Sequence, residues 1–127
     1  MPVVPQLVVT AANRPGTLAR VCETLAAGRV NISGLDCSGA QRQIRLLVNN
    51  TGRAERLLRR AGVRARVEEV LAVTLPDRPG SLARVARKLA RAGININYGY
   101  ATVPRGGRRA TIVLGVGNPR RAARRAR

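Results

Sequence analysis

The chain has 127 residues, enough for one domain of ordinary size or two small halves packed together. Its apolar fraction of 45% supports a core, and that core must be aliphatic: 19 Ala, 15 Val and 13 Leu stand against two Tyr, with no Phe or Trp. Histidine is absent and six acids face 24 basic residues, a net charge of +18, which removes most general-base and metal-ligand chemistry.

Met1-Pro2-Val3-Val4-Pro5 runs straight into a β-branched stretch, Leu7–Thr10, which reads as a strand. No basic segment precedes an apolar one there, and no apolar run approaches the roughly 18–20 residues of a membrane span. A cytoplasmic chain without a membrane partner is expected. Asn13-Arg14-Pro15-Gly16-Thr17 then starts a helix, with Asn accepting from free amides and Pro suited to the first helical position. Leu18, Val21, Cys22 and Leu25 recur at helical spacing, and Gly28 ends the run. A second strand passes through Val30-Asn31-Ile32, Ser38-Gly39 marks a hairpin, and Ile44, Leu46 and Val48 alternate along a third strand. Thr51 caps a second helix bearing Ala54, Leu57, Leu58 and Ala61, closed by Gly62, and Val63–Glu69 makes a fourth strand.

From there the order begins again. Shifting the chain by 64 positions lays Leu7–Ile32 over Leu71–Ile96, with 14 of those 26 positions identical. The chain is therefore two copies of one unit, residues 1–69 and 70–127. In the second, Leu71–Thr74 is a strand, Asp77-Arg78-Pro79-Gly80-Ser81 starts a helix with Leu82, Val85, Ala86 and Leu89, and Gly93 ends it. Ile94-Asn95-Ile96, a turn at Pro104-Arg105-Gly106-Gly107 and the alternation of Ile112, Leu114 and Val116 follow, before Asn118-Pro119 opens a last helix. The fold class is α+β: two ferredoxin-like βαββαβ units with antiparallel sheets and helices on one face, the second lacking its last strand. Either that sheet has an open edge or a neighbouring chain covers it.

The repeated turn carries the chemistry. A helix N-terminus presents free N–H groups and partial positive charge, and so suits carboxylate or phosphate. Gly16 and Gly80 let a ligand approach the backbone, Asn13 or Asp77 accepts from an ammonium group, and Asn31 or Asn95 both donates and accepts. Together they are suited to a zwitterion. The alternative is structural: a well-capped helix start, with Asn31 and Asn95 serving local hydrogen bonds at the strand edge.

These motifs resemble the tandem ACT-domain proteins. The resemblance covers about residues 6–126 and rests on Asn13–Leu18 with Val30-Asn31-Ile32, and on Asp77–Leu82 with Ile94-Asn95-Ile96. It implies a non-catalytic regulator that binds free amino acids and acts on an enzyme or on transcription, typically by side-by-side pairing of sheets; a homodimer is the expected assembly. It places the ligand near the turn after the first strand and an adjacent domain's strand. Carried over, the ligand-binding residues are Asn13, Gly16, Thr17, Leu18, Asn31 and Ile32, and Asp77, Gly80, Ser81, Leu82, Asn95 and Ile96.

Tyr98 and Tyr100 are alternate residues of one strand; they either pack at a domain or subunit contact or, for Tyr98, wall the ligand. Cys22 and Cys37 are too few for a disulfide framework or zinc site, and no cofactor, metal or catalytic residue is expected. Residues 78–127 hold 13 basic residues and no acid. The second functional class is therefore a nucleic-acid or polyanion binder using Arg84, Arg87, Lys88, Arg91, Arg105, Arg108, Arg109 and the tail from Arg120 to Arg127. The bland counterpart is a solvated face produced by coding bias.

Overall fold

The computed structural model describes residues 1–102 and 107–126. The turn read at Pro104–Gly107 lies outside them, Gly107 apart, as do Arg105 and Arg127. The chain divides into two compact units, one of Pro5–Glu68 and one that joins Met1–Val4 to the chain from Glu69 onward. The elements are β1 (Val3–Thr10), α1 (Thr17–Ala27), β2 (Ile32–Ser38), β3 (Gln43–Val48), α2 (Thr51–Arg60), β4 (Arg64–Pro76), α3 (Ser81–Arg91), β5 (Ile96–Thr102), β6 (Arg109–Val116) and α4 (Pro119–Arg125). No described helix is long and apolar enough to cross a membrane.

In the Pro5–Glu68 unit the strands lie in the order β2-β3-β1-β4, with β3 antiparallel to both neighbours. Leu7 and Val9 of β1, Ile44 and Leu46 of β3 and Ala65 of β4 turn one face of this sheet toward Val21 and Leu25 of α1 and Ala54 and Leu58 of α2. The period of two in the strands and of 3.6 in the helices thus meet in one aliphatic layer. Leu7, Leu25, Leu46 and Leu58 are fully buried, and each such side chain contributes about 2 kcal/mol by leaving water. Arg45 lies on the other side of β3, where its guanidinium pairs with Asp36 at 2.9 Å and donates to the side-chain oxygens of Gln41 and Gln43.

In the second unit β6 is antiparallel to β4 and β5, and the order is β1-β4-β6-β5, with Met1–Val4 supplying the β1 end. Among the described residues no strand follows α4. The place of such a strand is taken by the first residues of the chain, and the Ala72 amide donates to the Pro2 carbonyl at 3.0 Å. Neither an open edge nor a neighbouring chain is needed at that position. Leu71, Val85, Leu89, Leu114, Val116, Ala122 and Ala126 form this unit's core, with Met1 and Val3 packed against it.

Both edge strands carry the same irregularity. Register shifts between Ile32 and Gly34 in β2 and between Ile96 and Tyr98 in β5, so that one residue bulges in each. The pairs that follow are Gly34 with Leu47 and Tyr98 with Gly115: one large residue and one glycine, with the roles exchanged. The Tyr98 ring lies over Gly115, where an added Cβ would come within 2.1 Å of it.

Three local expectations are corrected. Asn13 and Asp77 do not cap α1 and α3, and Pro15 and Pro79 precede the helices rather than open them; Gly16 and Gly80 hold the N-cap positions without any side-chain hydrogen bond. Their φ values are +87° and +90°, a region in which a Cβ is strained, so glycine is required for the turn itself. Asn50 rather than Thr51 caps α2, its side-chain oxygen accepting from the Arg53 amide at 3.0 Å. Leu82, read as part of an apolar stripe, is 50% exposed.

Candidate functional site

The turn between β1 and α1 is held by its own backbone. The Thr17 amide donates to the Arg14 carbonyl, the Arg20 amide to Gly16, and the Thr17 hydroxyl closes the loop onto the Ala12 carbonyl at 2.8 Å. Between these bonds the amides of Leu18 and Ala19 find no acceptor among the described residues. Two donors therefore stand at the positive end of α1, whose first turn has no acidic residue. Beside them opens a cleft of about 200 Å³ between the helix start and the β2–β3 turn. Asn13, Gly16, Thr17 and Leu18 line it together, and Asn13 packs its amide group against Gly39. Cys37, Ser38 and Arg42 line it too.

Those last three were not among the candidates read from sequence. The signal was present: antiparallel order brings the Ser38-Gly39 turn to the end of the sheet where β1 finishes, and the Ala11 amide donates to the Arg42 carbonyl there. The cleft contains two arginines, Arg14 and Arg42, and no acid. Its chemistry favours an anionic group on the helix amides, with the Asn13 side-chain oxygen as an acceptor for a donor on the same ligand.

The second turn repeats this plan with one difference. The Ser81 amide donates to Arg78 and the Arg84 amide to Gly80, and the Leu82 and Ala83 amides find no acceptor among the described residues. Here the Pro76 carbonyl, the counterpart of Ala12's, accepts from the Arg78 amide. The Ser81 hydroxyl is buried, the residue only 7% exposed, and has no hydrogen-bond partner among the described residues. A hydroxyl in that condition costs about 1–3 kcal/mol. Asp77 is exposed, its amide bound to the Arg108 carbonyl.

The remaining candidates lie elsewhere in their units. Asn31 follows α1, so the length of that helix, about 16 Å, separates it from the turn of its own unit. Its amide donates to the Asn49 side chain, and Ile32 packs against the first core. Asn95 donates to the Asn97 side-chain oxygen at 3.0 Å and lines a separate cleft with Asn118 and Arg121, while Ile96 packs against the second core. Tyr98 is half-buried over Gly115.

The proposed polyanion residues divide similarly. Arg120 is engaged: its guanidinium donates twice to the Glu69 carboxylate, at 3.1 and 2.8 Å, and Glu69 holds its pKa above the ordinary arginine value. Arg109 donates to the Thr74 carbonyl. Arg84, Arg87, Lys88 and Arg91 lie together along α3 and have no ion pair among the described residues. No cluster of three or more His, Cys, Asp or Glu suited to a metal occurs among the described residues.

Two ferredoxin-like units, each with a helix that starts at a glycine of positive φ, define a duplicated α+β fold. The sequence matches the ACT domain pair family over residues 2–125, and the chain belongs to that family. Its structure is similar to the crystal structure of a Bacteroides thetaiotaomicron protein, at 27% identity over 97% of this chain and 85% of that one, with a TM-score of 0.86. It shares its fold with the regulatory subunit of aspartate kinase from Thermus flavus (16% identity, 99% and 95% of the two chains, TM-score 0.66). The same holds for the ligand-free regulatory subunit from Thermus thermophilus (18%, 98% and 92%, 0.69). A search of curated proteins found no match. ACT domains are regulatory, non-catalytic modules, and the family supports a small-molecule-binding regulatory role.

Proposed function

We propose that this protein senses a free amino acid at the turns that start α1 and α3, and that binding alters how copies of the chain pair, so regulating a partner enzyme. The observation that carries this reading is the pair of unpaired amides behind Gly16 and again behind Gly80. A carboxylate is the natural occupant of such donors, and the Ser81 hydroxyl offers a further polar contact beside the second pair. Asn31, Ile32, Asn95 and Ile96 would contribute from a neighbouring domain rather than from the unit that carries the turn.

Thermal melting of the chain with each of the twenty amino acids at millimolar concentration tests the reading. A true ligand at a hundredfold its Kd adds about 2.7 kcal/mol. Ser81→Ala should raise the melting point of the free chain, worth about 1 kcal/mol, while shrinking the ligand-induced shift. This variant is preferable to Gly80→Val, which strains a φ of +90° and so loses stability without regard to any ligand. Twenty flat melts would refute the proposal. Light scattering with and without the stabilising amino acid reads out the pairing.

A further inference from the structure

The two copies differ most where their helices meet. In the first, Leu58 of α2 is fully buried, Leu57 packs onto Gly28, and the Arg20 guanidinium donates to the Ala61 carbonyl at the end of that helix. Val9 beneath them is sealed from water. In the second, α4 has seven residues against ten in α2, and presents Ala122, Ala123 and Ala126. Arg125 and Ala126 stand where α2 has Leu57 and Leu58. Val73, the counterpart of Val9, is only half-buried, and a groove of about 950 Å³ lies between α3 and α4.

The groove has an apolar floor of Met1, Val73, Leu75 and Val85 and a rim of Arg84, Arg87, Lys88, Arg91 and Arg125. The four cations of α3 recur at i, i+3, i+4 and i+7, a single stripe along the helix. The equivalent positions of α1 are Arg20, Glu23, Thr24 and Ala27, which sum to zero charge. A coding bias would act on both copies alike, so it does not account for a stripe present in one. Like charges at this spacing repel, and none of the five rim residues has an acidic partner among the described residues.

We propose that this groove docks an acidic amphipathic helix of a partner protein, its apolar stripe on the floor and its carboxylates against the α3 stripe. The charge of the rim selects the sign of the partner, and the inter-helical floor selects a helix. A nucleic acid would match the rim but not the floor, which offers no aromatic surface for a base. The groove adjoins the turn that starts α3, sharing Ala83 and Arg84 with it, and the docking proposal does not require an amino acid there.

The test uses the full chain and fluorescence anisotropy at physiological salt. Three labelled probes are compared: a synthetic helix with Leu at i, i+3, i+4 and i+7 flanked by Glu, the same composition scrambled, and oligothymidine. The amphipathic peptide should bind at least about tenfold more tightly than either control. Arg87→Glu with Arg91→Glu should abolish that preference. Ala83→Trp, at an exposed position lining the groove, should weaken the peptide about tenfold or more and leave oligothymidine unchanged. Circular dichroism verifies that both variants fold. Equal binding of all three probes, or an unaffected peptide with folded Ala83→Trp, would overturn the proposal; tighter oligothymidine binding would reassign the stripe to nucleic acid.

Discussion

Single residues carry more of this structure than their side chains suggest, and the glycines show it best. Gly115 has no steric freedom because the Tyr98 ring occupies the space its Cβ would need. Gly115→Ala should therefore cost about 2 kcal/mol in urea denaturation, and Tyr98→Ala in the same chain should recover much of it as a coupling energy. Sequence could not reveal this pair. The two residues are brought opposite each other only by the bulge between Ile96 and Tyr98. The helix-start glycines failed to read correctly for a different reason: Asn-Arg-Pro-Gly contains good capping residues, and residue identity alone does not say which of them takes the positive φ. By contrast, Asn118-Pro119 was legible, because a cap followed by Pro at the first helical position is wholly local, and Asn118 does accept from the Arg121 amide at 3.1 Å.

Among elements, α4 is the most precarious. Seven residues are too few for a helix to hold itself, and it relies on its Asn118 cap, the Arg120–Glu69 pair and the burial of Ala122 and Ala126. Asn118→Ala and Asn50→Ala should each cost about 1 kcal/mol. Their signatures should differ: hydrogen exchange after Asn118→Ala should accelerate first at the α4 amides, whereas Asn50→Ala should lower global stability, since α2 also anchors Leu58. The length of β4 was the element least visible beforehand. Arg64–Leu75 contains no Gly, Pro or Asn, so one strand of thirteen residues was compatible with the sequence, but the repeat boundary at 69/70 invited a break there. The helices and their buried faces were legible because their periodicity is intrinsic; the groove beside α3 was not, since it arises from what α4 fails to fill.

For the whole molecule, the duplication was readable from 14 matching positions, and it fixed the family and the fold together. What no local pattern could disclose is that residues at one end of the chain finish the unit built from the other end. Removing Met1–Val4 should speed exchange of the Ala72 amide, which loses its Pro2 acceptor, and should destabilise the second unit more than the Pro5–Glu68 unit. Equal protection of Ala72 in the shortened and full chains would contradict this assignment.

That pairing also imposes an order in time. Pro2 and Ala72 are about 70 residues apart, a loop whose closure is among the slower events available to a small domain. During synthesis the opening segment emerges first and finds its partner strand only after more than half the chain has been made. The Pro5–Glu68 unit has all its strands by then, while the second still awaits β5 and β6. A bulky fusion placed ahead of Met1 would consequently burden the last-completed half of the protein, and its effect should appear in refolding rate before it appears in the final fold.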